Sequence, residues 1–334
     1  MKLKKIIAGA AILLAFTTSI FAKAKKNDKN TGKLKVVTTI FPEYDWTREI
    51  LGDKASNVEL TLLLGNGVDL HSYQPSIQDI AKISTADIFI YVGGESDGWV
   101  EDALKNAKNK NMKVINLLET LGDKVKAEEV KEGMQAEEEE EDEHEHHHHD
   151  EDEEEVEYDE HVWLSLRNAK VLSAEIASAL CEKDSANAAT YKANLADYSA
   201  RLDALDAKYE ASVKSASKNT ILFGDRFPFR YLVDDYNLDY FAAFVGCSAE
   251  TEASFETIIF LSKKVDELGL NSVLKIESGD GKIARTIVQN TKKKNAKVLT
   301  MDSIQSTTAK QAAAGVTYLK IMEGNLDVLK EALK

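Results

Sequence analysis

The sequence lacks any long apolar run after residue 22. This absence excludes a polytopic membrane protein, because a helix that crosses a bilayer needs about 20 apolar residues. The sequence also lacks a surplus of positive charge. Residues 137–160 hold 17 of the 57 acidic residues and no Lys or Arg, which leaves 42 bases and 40 acids in the rest of the chain. A nearly neutral body with one acidic segment excludes a surface that binds nucleic acid or another polyanion.

Cysteine is scarce, and its only two positions are Cys181 and Cys247. They can form at most one internal disulfide, which in an oxidising compartment would contribute about 4 kcal/mol by restricting the unfolded chain. That bond needs Cα atoms within about 7 Å, and the sequence does not specify this distance. Two free thiols are the alternative, and both possibilities stay open. Cys-x-x-Cys and the Walker loop are also absent.

The first residues predict export from the cytoplasm. Met1–Lys5 is basic, Ile6–Phe21 is mostly apolar, and Ala22-Lys23-Ala24 offers small residues for cleavage. This order is typical of a cleavable secretory signal, and the apolar part is short for a permanent anchor. No Cys follows the apolar stretch, so we expect no lipid anchor at this site. The expected location is periplasmic or extracellular.

After this leader, short apolar segments alternate with helical ones, and this pattern predicts βαβ units with parallel sheets. In the first half, the predicted strands are Lys35–Ile40, Val58–Leu63, Ile88–Val92 and Lys113–Leu117. The predicted helices between them are Tyr44–Leu51, Ser76–Ser84 and Gly98–Lys108. The pattern returns with predicted strands at Thr220–Phe223, Tyr240–Ala243, Ser272–Ile276 and Lys297–Leu299. The fold class predicted is therefore α/β with two lobes.

A long helix is predicted between the two halves. Residues 184–217 contain no Gly or Pro. Apolar side chains recur there at helical spacing, at Leu195, Tyr198, Leu202, Leu205, Tyr209 and Val213. About 30 residues at about 1.5 Å each reach roughly 45 Å, which is enough to join both lobes. A coiled-coil segment is the alternative, but fewer than three heptads follow this pattern.

These patterns divide the chain into five predicted segments. They are a signal peptide 1–22, a flexible arm 23–32, an N-terminal lobe 33–182, a linking helix 183–217 and a C-terminal lobe 218–334.

An acidic segment rich in histidine interrupts the N-terminal lobe at about residues 125–157. Its histidines are His144, His146, His147, His148 and His149. Such a run repels itself and buries nothing, so disorder is expected in the absence of metal. Imidazoles among carboxylates bind zinc, copper or nickel. The irregular spacing indicates several weak, exchangeable metal sites. An expression tag is the alternative for a histidine run, but tags normally lie at a terminus.

The only histidines outside this run are His71 and His161. Each follows an apolar stretch near the predicted end of a strand or in a loop. His71 lies in Gly67-Val68-Asp69-Leu70-His71-Ser72-Tyr73-Gln74-Pro75-Ser76, and His161 lies in Asp159-Glu160-His161-Val162-Trp163-Leu164-Ser165. A single histidine is more often a structural or surface residue than a metal ligand.

The two histidine motifs together change that interpretation. With Gly93-Gly94-Glu95-Ser96-Asp97-Gly98-Trp99, they resemble the solute-binding proteins of zinc and manganese ABC importers. The acidic histidine-rich segment before His161 is similar to the zinc-specific branch of that family. The resemblance runs from about Lys35 to the end of the chain. It implies two α/β lobes joined by one long rigid helix, with metal held in the cleft between them.

The resemblance also implies the ligands. Two are histidines of N-lobe loops, here His71 and His161, and the fourth corresponds to Asp302. An Asp that caps the next segment is the alternative at that position. The third family position, a His or Glu, has no clear counterpart in Leu222-Phe223-Gly224-Asp225-Arg226. Asp225 is the nearest oxygen donor, although an ion pair with Arg226 or Arg230 would explain it equally. Further candidates are Glu277, Asp280 and Cys247.

The function that these features predict is capture of Zn²⁺ outside the cytoplasm and its delivery to the membrane permease of an ABC importer. The protein is expected to be a monomer and not an enzyme. Mn²⁺ is the alternative metal, although the histidine-rich segment favours zinc. A secreted zinc hydrolase is a second interpretation. A third is a surface protein that buffers metal or mediates adhesion, with the acidic segment itself as the metal site.

Overall fold

The computed structural model describes residues 32–135, 157–248 and 252–334. The predicted signal segment, nearly all of the predicted arm and the five clustered histidines lie outside the described residues. Residues 33–334 pack as one compact unit. We describe an N-terminal and a C-terminal part of this unit, and their independence as lobes stays a prediction. Among the described residues, no helix combines the length and the hydrophobicity needed to span a membrane.

A four-stranded parallel sheet forms the N-terminal part, in the order β2-β1-β3-β4. Its strands are β1 (Leu34–Thr38), β2 (Val58–Leu62), β3 (Ile88–Tyr91) and β4 (Lys113–Asn116). The helices of this part are α1 (Phe41–Leu51), α2 (Ile77–Ser84), α3 (Val100–Lys105), α4 (Leu117–Leu121) and α5 (Leu166–Lys183). The central strands β1 and β3 are mostly buried, as expected where helices cover both faces of a parallel sheet.

Short parallel strand pairs form the C-terminal part: β5 with β7, β6 with β8, and β9 with β10. The strands are β5 (Thr220–Leu222), β6 (Arg226–Phe227), β7 (Asp239–Phe241), β8 (Phe244–Val245), β9 (Ser272–Ile276) and β10 (Lys297–Met301). The helices are α7 (Arg230–Asp235), α8 (Phe255–Glu267), α9 (Lys282–Asn290), α10 (Ala309–Ala313) and α11 (Tyr318–Ala332). The predicted strands overlap the observed ones closely, whereas β6 and β8 were not predicted.

The predicted linking helix is present as α6, from Ala188 to Ser215. It begins five residues later than predicted, because α5 ends at Lys183 and a short 3-10 turn at Ser185–Asn187 separates the two helices. The predicted apolar face is turned inward, and its central members are buried: Tyr198, Leu202, Leu205 and Tyr209. The helix contacts α1 and α5 on one side and α11 on the other. The predicted α/β class with one long helix is confirmed.

The structure corrects the predicted extent of the acidic loop. The sequence predicts disorder for residues 125–135, which we name the strap. In the structure these residues form specific hydrogen bonds. Ala127 bridges Tyr158 in antiparallel fashion, Lys126 N–H donates to the Tyr231 hydroxyl at 3.0 Å, and Gln135 N–H donates to Ala243 O at 2.9 Å. The composition-based prediction was wrong here because pairing with Tyr158 and hydrogen bonds to Tyr231 and Ala243 satisfy polar groups of the strap.

The fold brings the ends of several strands to one place. The chain segments that follow β2, β3, β5, β8, β9 and β10 carry His71, Ser96, Asp225, Cys247, Glu277 and Gln305. In open parallel α/β sheets, ligands bind outside the carboxyl ends of the strands. This edge is therefore where a functional site is expected.

Candidate metal centre

His71 is held by the loop that follows β2. It lies in a 3-10 turn at Leu70–Ser72, which Asp69 caps by accepting from His71 N–H at 3.1 Å. Its ring Nδ1 forms a 2.8 Å hydrogen bond with the Ser96 hydroxyl and lies 3.5 Å from a carboxylate oxygen of Glu160. Burial, reinforced by nearby His161, lowers the pKa of His71. The ring is therefore neutral at physiological pH, which is the form that binds metal.

His161 is completely buried and is oriented by a carboxylate. One oxygen of Asp159 accepts from the backbone N–H of His161 at 2.8 Å and lies 3.0 Å from its ring Nδ1. A carboxylate bonded to one ring nitrogen leaves the other nitrogen as the lone-pair donor, and this arrangement is common behind histidine ligands of metals. The Trp163 ring packs beside the imidazole, with ring centroids 5.2 Å apart.

The two imidazoles converge. Their Nε2 atoms are 3.1 Å apart. Two nitrogens bound to one tetrahedral zinc, each at about 2.0 Å, lie about 3.3 Å apart. The observed separation is therefore close to that of two ligands of a single ion. The prediction that His71 and His161 share a site agrees with this geometry.

Cys247 supplies the third donor atom of the cluster. Within the part of the chain that the structure describes, one group of His, Cys, Asp or Glu donors is compact enough for a metal, with all donor atoms within 4.8 Å of one another: His71, His161 and Cys247. Both cysteines are free, so the Cys181–Cys247 disulfide is not formed. Burial raises the pKa of the Cys247 thiol, and the carboxylate of Glu128 adds to this effect.

Gln305, which the sequence did not suggest, also reaches the cluster. Its side-chain amide lies beside Asp69, and both carboxylate oxygens of Asp69 are satisfied when the amide nitrogen is turned toward them, donating at 2.7 and 3.0 Å. In this orientation Oε1 of Gln305 lies 2.9 Å from Nε2 of His161. The side chain is 4% exposed. No sequence signal identified it, because a glutamine near a strand end has many ordinary roles.

The carboxylates predicted as the third and fourth ligands are not brought into this cluster. Asp225 accepts from the backbone N–H groups of Ile276 at 3.2 Å and Arg226 at 3.0 Å. Asp302 accepts from the N–H of Ile304 at 2.8 Å. Burial raises the pKa of both carboxyl groups, and for Asp302 nearby Glu277 raises it further. Both carboxylates bond to the backbone of their own part of the protein, so their role as ligands stays a prediction.

The other candidate carboxylates are also occupied. Glu277 accepts from Ser303 N–H at 2.7 Å and from the hydroxyls of Ser303 and Ser306, both at 2.9 Å. Asp280 caps the next helix by accepting from Lys282 N–H at 2.7 Å. These contacts order the loops around the cluster.

Ser96 bears on the hydrolase interpretation. It lies in Gly94-Glu95-Ser96-Asp97-Gly98, which has the Gly-x-Ser-x-Gly spacing of a nucleophile turn. In a hydrolytic triad the second ring nitrogen of the base faces a carboxylate. Here the second nitrogen of His71 faces His161 instead. The Ser96 hydroxyl therefore serves to orient the His71 imidazole.

A cavity of about 510 Å³ adjoins the cluster, and its lining includes Asp69, Asp225, Arg226, Ser248 and Asp280. Asp69 and Arg226 form an ion pair between the N-terminal and C-terminal parts. Because Asp69 also lies beside Gln305, this ion pair links the cavity lining to the residues of the cluster.

An α/β protein with parallel sheets, a long linking helix and a histidine–cysteine cluster at the strand ends belongs to the class of metal-binding proteins. The comparisons make this specific. The family model described as "Zinc-uptake complex component A periplasmic" matches residues 36–332. The chain belongs to this family, as its sequence motifs predicted. The family's description is that of a component of a zinc-uptake complex, and it is not that of an enzyme family.

Two similar curated proteins carry zinc in their names. The zinc-binding lipoprotein AdcA of Streptococcus pneumoniae is 32% identical over 322 residues, which cover 96% of this chain and 60% of that protein. The high-affinity zinc uptake system protein ZnuA of Bacillus subtilis is 29% identical over 328 residues, covering 98% and 96%. This chain thus spans about 60% of the length of the AdcA relatives.

A similar solved structure is the Zn(II)-bound ZnuA-like domain of Streptococcus pneumoniae AdcA. The likeness has a TM-score of 0.68 at 27% identity, and it covers 90% of this chain and 99% of that domain. It agrees with the fold class predicted from the sequence.

Proposed function

We propose that this chain is the extracytoplasmic solute-binding protein of a metal ABC importer, which captures Zn²⁺ and delivers it to the membrane permease. The observation that carries the proposal is the imidazole pair, whose Nε2 atoms lie 3.1 Å apart. Family membership supports the transport role. The basic start and the 16 apolar residues of Ile6–Phe21 support export.

The metal proposed is zinc. Two imidazole nitrogens at the spacing of one tetrahedral ion suit zinc, whereas manganese favours more oxygen ligands and a higher coordination number. The zinc-binding names of the relatives agree with this choice. The carboxylates that line the adjoining cavity, such as Asp225 and Asp280, would raise the local concentration of cations at its entrance.

Release to the permease requires that the coordination be easily broken. The two histidines belong to the N-terminal part, while the Asp69–Arg226 ion pair joins this part to the first residue of β6. A small displacement of the C-terminal part would break that pair and expose the imidazoles. Movement of loops rather than wide hinge closure is expected, because α6 packs against both parts.

Zinc titration calorimetry tests the proposal. The starting variant lacks residues 136–155, so that the clustered histidines add no equivalents. This variant should bind one tight zinc, and His71→Ala combined with His161→Ala should abolish that equivalent. Tyr209→Phe, a buried change in α6 far from the cluster, is the matched control and should bind zinc as before. Stoichiometric tight zinc in the double histidine variant would refute the imidazole site.

The same deletion separates the alternatives. If the acidic segment is the metal site of a surface protein, deleting it removes all binding. If it is an auxiliary collector, as we propose, only weakly bound equivalents disappear. Metal binding at these weak sites should depend strongly on salt, because exposed charges are screened beyond about 10 Å at 0.1 M ionic strength. The hydrolase interpretation requires zinc-dependent cleavage of ester or peptide substrates, which we expect to be absent.

A further inference from the structure

The third donor of the cluster belongs to the C-terminal part of the protein, whereas the two histidines belong to the N-terminal part. Cys247 follows β8 in the C-terminal part, and its sulfur lies within 4.8 Å of a ring nitrogen of each histidine. In a tetrahedral zinc site with bonds of about 2.0 Å to nitrogen and 2.3 Å to sulfur, nitrogen and sulfur lie about 3.5 Å apart. A closing movement of about 1 Å therefore suffices to bring the thiol to bonding distance.

The loop that carries Cys247 is built for close approach. A Cβ atom at Gly246 would lie 2.9 Å from the carbonyl oxygen of Phe227 and 3.1 Å from the ring of His161. Only glycine allows the backbone this near to the imidazole. The N–H of Cys247 donates to Glu128 of the strap at 3.0 Å. The position of the cysteine is thus set from two sides.

Gln305 approaches the cluster from a strained loop. The preceding residue, Ile304, has a φ of 64°, a conformation that is a genuine outlier for a β-branched residue. The loop is anchored to the His161 segment, because the indole N–H of Trp163 donates to Ser303 O at 2.9 Å. Strain of this kind persists where the surroundings impose it and is concentrated at functional sites. Here it directs the Gln305 side chain toward His161.

We infer that Cys247 is the third ligand of the captured metal, with the amide oxygen of Gln305 at the fourth position. The donor set is then two imidazoles, one thiolate and one neutral oxygen. This inference rests on the proposed function and assigns the two positions for which the carboxylates Asp225 and Asp302 were predicted. Because a thiolate favours zinc, cobalt and cadmium and disfavours manganese, Cys247 is also the residue that sets metal selectivity.

Cobalt binding gives a direct readout of the thiolate. Co²⁺ bound by sulfur shows a near-ultraviolet charge-transfer band, and this band is absent when the ligands are nitrogen and oxygen only. Using the variant that lacks residues 136–155, we expect the band on addition of one Co²⁺. Cys181→Ala is the matched control, because Cys181 lies on α5 and bonds Ala188 O at 3.6 Å. The control should keep the band, and Cys247→Ser should lose it.

Zinc affinity supplies the second readout. Replacing a hydrogen-bond partner of a metal ligand lowers metal affinity by about 10–100-fold. Removing a ligand itself should cost more, so Cys247→Ala should lower zinc affinity by at least about 100-fold. Cys247→Asp should bind Mn²⁺ more tightly than the parent does, since it exchanges sulfur for oxygen. Far-ultraviolet circular dichroism confirms that each variant is folded.

The outcomes separate this inference from the proposed function. Tight Co²⁺ binding to the parent without a sulfur band would overturn the thiolate assignment while leaving a zinc-binding histidine site intact. A parent that binds neither Co²⁺ nor Zn²⁺ tightly would overturn both. For the fourth position, Gln305→Ala should shift the visible cobalt bands and weaken zinc binding by about tenfold. Unchanged bands and affinity in that variant would remove Gln305 from the ligand set.

Discussion

The imidazoles on the N-terminal side of the centre and the carboxylates on the C-terminal side use their hydrogen bonds in opposite ways. His71 and His161 bond through Nδ1 to Ser96 and Asp159, so that each Nε2 points toward the other. Asp225 and Asp302 instead accept from backbone N–H groups near their own strand ends. The first pair leaves two ring nitrogens facing one another, and the second pair orders the loops.

This difference shows that a polar residue at a strand end is not by itself a ligand. Loops that follow parallel strands leave backbone N–H groups without partners, and buried N–H groups need an acceptor. A carboxylate is the shortest way to supply one. Cys247 and Gln305, which are poorer acceptors for such N–H groups than a carboxylate, lie beside the two imidazoles instead.

Among side chains outside the donor cluster, the largest effect on zinc affinity is expected from the carboxylate behind His161. Asp159→Asn should lower zinc affinity by about 10–100-fold, because the amide no longer holds the ring in the tautomer that leaves Nε2 free. Isothermal titration in the variant without residues 136–155 measures this change. Asp87→Asn, far along the sheet where Asp87 accepts from Lys35 N–H at 2.9 Å, is the control. A loss below threefold for Asp159→Asn would show that its carboxylate does not orient the ligand.

Glu277 should matter for stability rather than for binding stoichiometry. Its carboxylate accepts four hydrogen bonds from the N–H groups and hydroxyls of Ser303 and Ser306. Glu277→Ala leaves these donors without their partner and should lower the free energy of unfolding by about 2 kcal/mol. Urea denaturation of the metal-free protein measures it. The variant should still bind one zinc, and loss of that equivalent would instead make Glu277 a ligand.

The buried carboxyl of Glu43 should give the metal-free protein a distinctive pH dependence. Burial, with a smaller contribution from Asp97, raises the pKa of Glu43 from 4.5 to about 8. The folded state then binds more protons than the unfolded state between these values, so this group makes stability fall as pH rises from about 4.5 to 8. Its slope is at most about 1.4 kcal/mol per pH unit.

Glu43→Gln removes this contribution. The backbone N–H groups of Thr39 and Ile40 donate to the same oxygen of Glu43, at 2.8 and 3.3 Å. The amide oxygen of the glutamine can take the place of that oxygen. Compared with the parent, the variant should gain stability steadily from pH 5 to pH 8 in urea denaturation. If the free energies of unfolding of the two proteins changed with pH in parallel, this result would contradict a neutral Glu43 in the folded state.

The smallest effect is expected from the two predicted carboxylate ligands. Asp302→Asn keeps the oxygen that accepts from Ile304 N–H, whereas Asp225→Asn keeps one of the two oxygens that accept from Arg226 and Ile276. Neither carboxylate lies in the donor cluster, so zinc affinity should change by less than about threefold, or about 0.7 kcal/mol. The same titration measures both variants. A loss of 100-fold in either would restore the original assignment and would remove the contrast between the two sides of the centre.

Local patterns in the sequence were sufficient to predict much of this protein. Alternating apolar and helical segments predict β1–β4 and most of the C-terminal strands, because burial between helices demands continuous apolar runs. The spacing of Tyr198, Leu202, Leu205 and Tyr209 predicts the buried face of α6 for a similar reason. His71 and His161 were identified because their motifs are distinctive and no other histidines lie outside the acidic run.

Tertiary structure alone decided which further side chains lie beside the two imidazoles. Cys247 and Gln305 lie 86 and 144 residues beyond His161 in the chain, and nothing in their neighbouring residues records that distance in space. Gly246, the strained Ile304 and the ordered strap bring them close, whereas backbone N–H groups occupy Asp225 and Asp302. Local sequence determines which segments become strands and helices through burial and periodicity. Which of several polar side chains reaches the centre depends on hydrogen-bond partners that only the packed chain supplies.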